Sequence, residues 1–519
     1  MHPALEQTDL LLLIFERLEL HAHSNREGTK QPDLLRAALT CKTFSDVALR
    51  IMWKRLDRIH HLLRLIPGIV MRNGFCLFPV WEPVAACHIQ RFCKYASYVT
   101  SLDYSGSPKI HPSVCEGLQS LRLSPVLPNL QQLNWWGVPI DGLLPTLVAE
   151  NSSLLSMDIS LRPESNMPDS IAELQAIVHK LHTHGPRMQR LRLTDIPVGV
   201  SLQRLAQLKH LHDLLLWFET YTLSDIRPGD LLTWDTFHAM SPFDRFRRLD
   251  IDVSNLHLPS DCPSLRFVAL EMLTLRGPLS LATALLVHIQ SDTLMSLNHS
   301  GIDPDSGLPA LLNTAPPFPH LCHLRLEVPH TLSRYPGRDI LSRFLLSPRL
   351  QTLDISCTPG SILFSKDDFV EMAHAWPQLT ELSLTVLRSR DIHVDGPDAR
   401  LPSVPLSVLE AFARHCPELR EWSAPVIYDT PLQTVSPPVA HENLESLFVS
   451  TPAPDTPTAG EAARFVYSIF PSVQTIYERA AYRTIEAMVR CLRMGRQDFL
   501  SGNSEWDSES GEGDTASST

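Results

Sequence analysis

The residue types that do chemistry are present in this chain, but their spacing points away from catalysis. Asp250-Ile251-Asp252 places two carboxylates two residues apart, a pair that a divalent cation accepts. In a strand such a pair falls on one face by simple alternation, and alternation accounts for it. Asp303-Pro304-Asp305-Ser306-Gly307 begins as a calcium loop does, yet Thr314 stands at the twelfth position where the bidentate acid belongs, so the stretch reads as a turn. Cys87-His88 with Cys93 is the local Cys/His cluster; no second pair stands at zinc spacing, and the three read as positions on a helix. His182-Thr183-His184 is weak for the same reason. No glycine-rich phosphate loop and no Gly-x-Ser-x-Gly elbow occurs. The expectation is a protein with no catalytic residues of its own, no metal and no cofactor.

The totals agree with a binding role. The chain has 519 residues, 44% of them hydrophobic, which is too many for one ordinary compact domain. Its formal charge of −12 argues against a nucleic-acid partner. Ten cysteines are scattered along it, several beside apolar strand residues, as at Cys322 and Cys357. They read as reduced, small hydrophobes of a cytoplasmic or nuclear protein. The apolar run from Leu10 to Phe15 is too short for a secretory signal and is cut by Glu16 and Arg17, and no stretch approaches the roughly 20 apolar residues that span a bilayer.

What organises the chain is a repeated phrase: Pro, a spacer, an apolar residue, two variable residues, then apolar-variable-apolar. Its clearest copy is Pro348-Arg349-Leu350-Gln351-Thr352-Leu353-Asp354-Ile355, and others start at Pro128, Pro319 and Pro377. The alternating end is a short strand with one buried face, and the Pro suits the bend that feeds it. One copy cannot bury its apolar face alone, whereas stacked copies can. The phrase is that of a leucine-rich repeat, and it predicts an α/β solenoid: an irregular horseshoe with a parallel sheet on the concave face and helices on the convex face. Anchoring each repeat on its first apolar strand residue gives Leu102, Leu133, Met157, Leu191, Leu214, Leu249, Leu273, Leu297, Leu324, Leu353, Leu382, Trp422, Leu447 and Ile476. Helices fit between them, for example over 171–182 and 406–415, and 391–405 reads as a projecting loop. Leu118 to Leu123 also fits the phrase, and 265–275 holds two overlapping candidates. The Asn that usually follows the strand is mostly missing, which predicts uneven turns.

The first 55 residues differ. Thr8 to Leu18 reads as a helix with Leu10, Leu11, Ile14, Phe15 and Leu18 on a wide apolar face. A polar loop follows over 21–31. Pro32-Asp33 opens a second helical piece over Leu34 to Leu39, and Phe44 to Ile51 forms a third, ending near Trp53. Three short helices cannot bury all of Leu10, Leu11, Ile14, Phe15, Leu34, Leu35, Leu39 and Phe44 among themselves, and surplus apolar surface marks a partner site. The order Asp9-Leu10-Leu11, Ile14-Phe15, then Asp33-Leu34-Leu35, Ala38-Leu39, Cys41-Lys42, Phe44 and Met52-Trp53 resembles the F-box. Gln7, Asp9 and Thr40 depart from its usual Pro, Glu and Val. Arg91-Phe92-Cys93-Lys94-Tyr95-Ala96 running to Leu102 resembles the segment that follows the F-box in a large family of proteins from mushroom-forming fungi.

That resemblance implies a small all-α F-box over 1–55, a helical linker over 56–100 and a leucine-rich-repeat solenoid over 101–485, followed by 486–519 as the terminal helix end and an acidic tail. It implies a substrate receptor of an SCF-type cullin ubiquitin ligase, bound to a Skp-type adaptor through Leu10, Leu11, Ile14, Phe15, Leu18, Leu34, Leu35, Leu39 and Phe44. The alternative is a repeat scaffold with no ligase. Residues 55–66 read as a helix that starts the linker. On the sheet the variable strand positions face outward, and Trp136, Arg190, Arg192, Trp217, Arg248 and Arg325 are the candidate substrate contacts, since Trp and Arg are enriched at binding hot spots. From Ser501 the composition turns to Ser, Gly, Asp and Glu, a tail too polar to order, in which Ser504 with Asp507 resembles a casein-kinase-type site.

Overall fold

A computed structural model describes residues 7–24, 32–78, 83–136, 143–148, 153–161, 168–184, 187–197, 200–218, 233–254, 256, 259, 263–301, 317–328, 335–357, 362–386, 404–427, 441–449, 456–478, 489–490 and 493. Of the loop expected over 391–405, residues 391–403 lie outside the described residues and Val404–Pro405 is a short strand paired with Val426–Ile427; the stretch from Asp303 to Thr314, most of 21–31 and the tail with Ser504 also lie outside them. The chain divides into two compact units, 1–294 and 295–519. The expected boundaries at 55 and 100 both fall within the first.

The first unit begins with three helices, α1 (Thr8–Ser24), α2 (Pro32–Ala38) and α3 (Lys42–Lys54). Leu11, Phe15, Leu34, Val47, Ala48 and Ile51 form their closed core, with Leu12, Phe44 and Met52 packed against it. The helices run a little further than the sequence suggests, because α1 continues through residues 21–24, which read as loop. After α3 the backbone turns straight into an extended conformation at Arg55, φ −116° and ψ 125°. Arg55–Leu56 is thus the ladder strand β1, not the start of a helix, and the helix expected over 55–66 shrinks to His60–Leu63.

Seven more parallel strands follow β1 in chain order: β2 (Ser101–Tyr104), β3 (Gln132–Trp136), β4 (Ser156–Ser160), β5 (Arg190–Ile196), β6 (Asp213–Phe218), β7 (Arg248–Asp252) and β8 (Met272–Arg276). Their anchors stand opposite one another without a slip, Leu56, Leu102, Leu133, Met157, Leu191, Leu214, Leu249 and Leu273. The second unit carries β9 (Ser296–Ser300), β10 (His323–Val328), β11 (Thr352–Cys357), β12 (Glu381–Val386), β13 (Glu421–Ile427), β14 (Ser446–Val449) and β15 (Thr475–Glu478). There the same row reads Leu297, Leu324, Leu353, Leu382, Trp422, Leu447 and Ile476. All fourteen anchors named from the sequence lie in ladder strands, none more than 5% exposed. Burying each side chain stabilises the stack by about 1.5–3 kcal/mol, so no single turn holds the fold.

The strand starts share a backbone stitch within each unit, whereas the strand ends are uneven, as the missing Asn suggests: the ladder register shifts between Leu193 and Ile196 and again between Trp422 and Val426. At the starts of β3 to β8 and of β10 to β15 two consecutive N–H groups donate to one carbonyl at the preceding strand start. Gln131 and Gln132 bond Thr100, Leu155 and Ser156 bond Gln131, and the pattern continues to Glu271 and Met272 on Arg247. In the second unit it runs from Cys322 and His323 on Met295 to Gln474 and Thr475 on Glu445. A carbonyl has two lone pairs, so it accepts both, and no side chain is required.

Of the ambiguous stretches, Leu118 sits in a helix, Pro112–Ser120, and the phrase at 118–123 is not a strand. At 265–275 the second candidate is β8, while Leu265–Arg266 pairs with Ile289–Gln290 in a separate two-stranded sheet. The expected helices are Pro168–His184 and Leu409–His415, the latter entered through a 3-10 turn. The eight described cysteines are all free thiols, and burial pushes Cys76 up to about 11 and Cys416 up to about 12. The buried ones, Cys76, Cys115, Cys357 and Cys416, act as apolar filler. No described helix is long and apolar enough to cross a membrane.

Candidate interaction surfaces

Two surfaces of the first unit stand out, one apolar and one charged. The apolar one belongs to α1 and α2. A single wide stripe on α1 was expected, and the structure divides it. Leu11 and Phe15, four apart, point into the three-helix core at 1% and 4% exposure, and Phe15 meets Phe44 edge-on with ring centroids 5.6 Å apart. Leu10, Leu13 and Ile14 face solvent at 39%, 65% and 42%. They are i, i+3 and i, i+4 neighbours and lie side by side on the helix. On the second helix Leu34 is buried and Leu35 is half exposed, and just past its end Leu39 is 80% exposed. Five of the thirteen exposed large hydrophobics among the described residues therefore fall within 10–39, on or next to the first two helices. Of the nine residues expected here, Leu10, Ile14, Leu35 and Leu39 are exposed. Leu11, Phe15 and Leu34 lie in the core, and Phe44 is half-buried. The side chain of Leu18 lies outside the described residues. Leu13 was not singled out by periodicity, which grouped 10, 11, 14, 15 and 18.

The charged surface lies on the outward strand positions of β4 to β8. In register across the ladder, Arg190 on β5, Asp213 on β6 and Arg248 on β7 form one row. Asp158, Arg192, Leu215, Asp250 and Thr274 form the next. Asp213 is the hub: Arg190 Nε lies 3.1 Å and Arg192 Nη2 3.2 Å from its Oδ2, and Arg248 Nε lies 3.9 Å from its Oδ1. Burial pushes the Asp158 carboxyl up from its ordinary value, against the pull of Arg192 and Arg190, with Asp213 adding to the rise.

A second cluster joins the first. The indole N–H of Trp217 donates to Asp250 Oδ1 at 2.8 Å, and the Arg276 guanidinium lies 3.6 Å above the Trp217 ring. Arg276 Nε is also 3.4 Å from Asp250 Oδ1. One face of Trp217 is thus already occupied by a cation, and the residue works as a clamp across β6, β7 and β8. Asp252, the other half of the suspected cation pair, accepts the backbone N–H of Ser254. The Asp250–Asp252 pair serves the ladder and its turns. Cys87 and Cys93 are exposed on the Ala86–Ala96 helix, and among the described residues no three His, Cys, Asp or Glu side chains are placed to hold a metal.

Three of the six candidate substrate contacts, Arg190, Arg192 and Arg248, come together, and Trp217 lies beside them. Trp136 stands on β3, 47% exposed. Arg325 belongs to the second unit, where it pairs with Glu327 and Asp354 at 3.4 and 3.5 Å. Asp213, Asp250 and Arg276 were legible as outward positions, but not as partners of the arginines, because cross-strand neighbours are about 20 to 35 residues apart in sequence.

No protein-family model matches the chain, and no curated protein matches it. Among solved structures it is similar to a leucine-rich-repeat protein of Leptospira interrogans, at 14% identity over 82% of this chain and 99% of that one, with a TM-score of 0.34. It is also similar to a protein of Bacteroides fragilis, at 13% identity over 52% and 68% of the two chains, with a TM-score of 0.26. The leucine-rich-repeat architecture rests on the chain's own strand register and buried anchor row.

Proposed function

We propose that this chain is a substrate receptor of an SCF-type cullin ubiquitin ligase. In this reading α1 to α3 dock on a Skp-type adaptor, and the outward face of the ladder holds a protein substrate. The observation that carries it is the exposed row Leu10, Leu13 and Ile14, with Leu35 and Leu39, on helices whose own core is already closed by Leu11, Phe15 and Leu34. A helical cap for a solenoid needs one apolar face, directed inward; here a second points out. The order of residues that resembles the F-box falls on these same helices.

The chain does no covalent chemistry in this scheme. It works by holding an acceptor lysine close to a charged conjugating enzyme, which raises the local concentration of the reacting groups. The cell compartment is the cytoplasm, the nucleus or both. The competing proposal is a repeat scaffold that uses the ladder face and recruits no ligase. Affinity capture of the tagged full chain, followed by mass spectrometry with and without proteasome inhibition, separates the two. The receptor reading expects a Skp-type adaptor and a cullin in both samples, with substrates enriched on inhibition. A capture that contains neither ligase subunit leaves the scaffold.

A further inference from the structure

We propose that Arg190, Arg192 and Arg248, pinned on Asp213, form a subsite on the outward face of the first unit for an acidic side chain of a protein partner. The proposal deepens the receptor reading by naming the chemistry its ladder face accepts. Three guanidinium groups from β5 and β7 converge on one carboxylate of the strand between them. Asp158 is the other carboxylate beside them, and Asp250 is committed to Trp217 and Arg276. At Asp213 itself three guanidinium groups meet a single carboxylate, and Asp252 beyond them is held by the Ser254 amide.

The hub is also incompletely satisfied. Asp213 is only 8% exposed, yet its Oδ1 accepts no hydrogen bond among the described residues, and the buried Nε atoms of Arg192 and Arg248 donate none. Native interiors seldom leave three such atoms together. The arginines are held near Asp213 but not consumed by it. The side chains of Arg190 and Arg248 are 55% and 37% exposed. A guanidinium fork matches a carboxylate through two parallel hydrogen bonds, and side chains fixed beforehand lose little freedom on binding. A nucleic-acid backbone fits poorly, because its successive phosphates would meet Asp158, Asp250 and Asp252. A single carboxylate fits the place where three guanidinium groups share only Asp213.

The test uses the full chain and three fluorescent dodecapeptides of otherwise identical sequence, bearing glutamates, glutamines or phosphoserines, read by anisotropy. The glutamate peptide is expected to bind saturably and to weaken as salt rises. The glutamine peptide is expected not to bind. The double variant Arg190→Gln, Arg248→Gln should lose roughly tenfold or more in affinity, since each removes a charge-assisted fork. Arg190→Lys, which keeps the charge and loses the fork, should also weaken binding, and it keeps the test open if the double variant does not fold. No saturable binding of the glutamate peptide at millimolar concentration overturns the proposal. So does equal binding by the folded variants, or binding of the phosphoserine peptide alone. Adaptor binding is measured on the same proteins. Its loss with peptide binding intact removes the ligase reading and keeps the subsite, and the converse removes the subsite alone.

Discussion

The backbone N–H of Thr100 donates to the carbonyl of Lys54 at 2.9 Å, tying the last residue of α3 to the start of β2. Arg55 then pairs with Ser101 and Leu56 with Leu102, so the three-helix unit joins the ladder with no intervening loop. Trp53 stacks on Tyr95, ring centroids 5.1 Å apart, and Lys54 and Lys94 bond Glu16 and Asp46 at 2.8 and 3.0 Å. The ion pairs are partly exposed and contribute little, so the stack and the backbone bonds hold the joint. Trp53→Ala is expected to lower unfolding free energy by about 1–2 kcal/mol from the lost aromatic pair and its burial and to speed exchange of the Thr100 amide. Guanidinium titration and hydrogen exchange read the two effects, and an unchanged Thr100 amide would show that the stack does not hold the joint.

Phe15 and Leu13 sit two residues apart on α1 and face opposite ways. Phe15→Ala should destabilise the N-terminal helices by about 3–5 kcal/mol, the usual loss for a buried aromatic. Leu13→Ala should change stability by no more than about 0.5 kcal/mol, as exposed substitutions do. Thermal melts of the two variants separate the supporting core from the outward face. Equal destabilisation would mean that Leu13 packs inside.

Glu381 and Glu421 stand directly opposite each other on β12 and β13, an unfavourable like-charge pair. Burial first, then Glu421 and Asp354, push the Glu381 carboxyl up from its ordinary value, while His323 pulls it down. The folded state therefore holds this proton more tightly than the unfolded chain. The resulting stabilisation is full below the unfolded value and is lost as pH rises through the folded one. At neutral pH Glu381 burdens the fold, so Glu381→Gln should raise the melting temperature there, and the gain should shrink as pH falls into the carboxylate range. A gain independent of pH would assign the effect to something other than charge.

Gly277 closes the turn after β8 at φ +105°, and a Cβ there would meet the backbone nitrogen of Ser254 at 3.0 Å and Asp252 Oδ1 at 3.1 Å. Gly277→Ala is expected to destabilise the protein by about 1–3 kcal/mol through backbone strain, seen as a lower denaturation midpoint with an unchanged slope. An unchanged midpoint would mean that the turn can relax.

The ladder was legible because its signal is local: the Pro-x-Leu-x-x-Leu-x-Leu phrase fixes each strand within eight residues, and Leu353 or Leu382 could be placed from its neighbours alone. Strand β1 was not legible, since Arg55–Leu56 has no phrase of its own and is extended because Leu56 finds Leu102. The backbone stitch was not legible for a related reason, because it uses N–H groups such as those of Gln131 and Gln132 and leaves no mark on side-chain identity. On α1, periodicity found the apolar stripe but could not divide it. Which of Leu10, Leu11, Ile14 and Phe15 turn inward is decided by where Val47, Ala48 and Ile51 arrive on α3.

The central claim, that the exposed leucines and isoleucine of α1 and α2 dock a Skp-type adaptor, is tested most directly by titrating a purified adaptor into the full chain by calorimetry. The comparison is between the natural chain and the double variant Ile14→Asp, Leu39→Asp, both positions being exposed. The account predicts one-to-one binding by the natural chain, none by the variant, and the same melting temperature for both. Equal binding by the two proteins, or none by the natural chain, would contradict it.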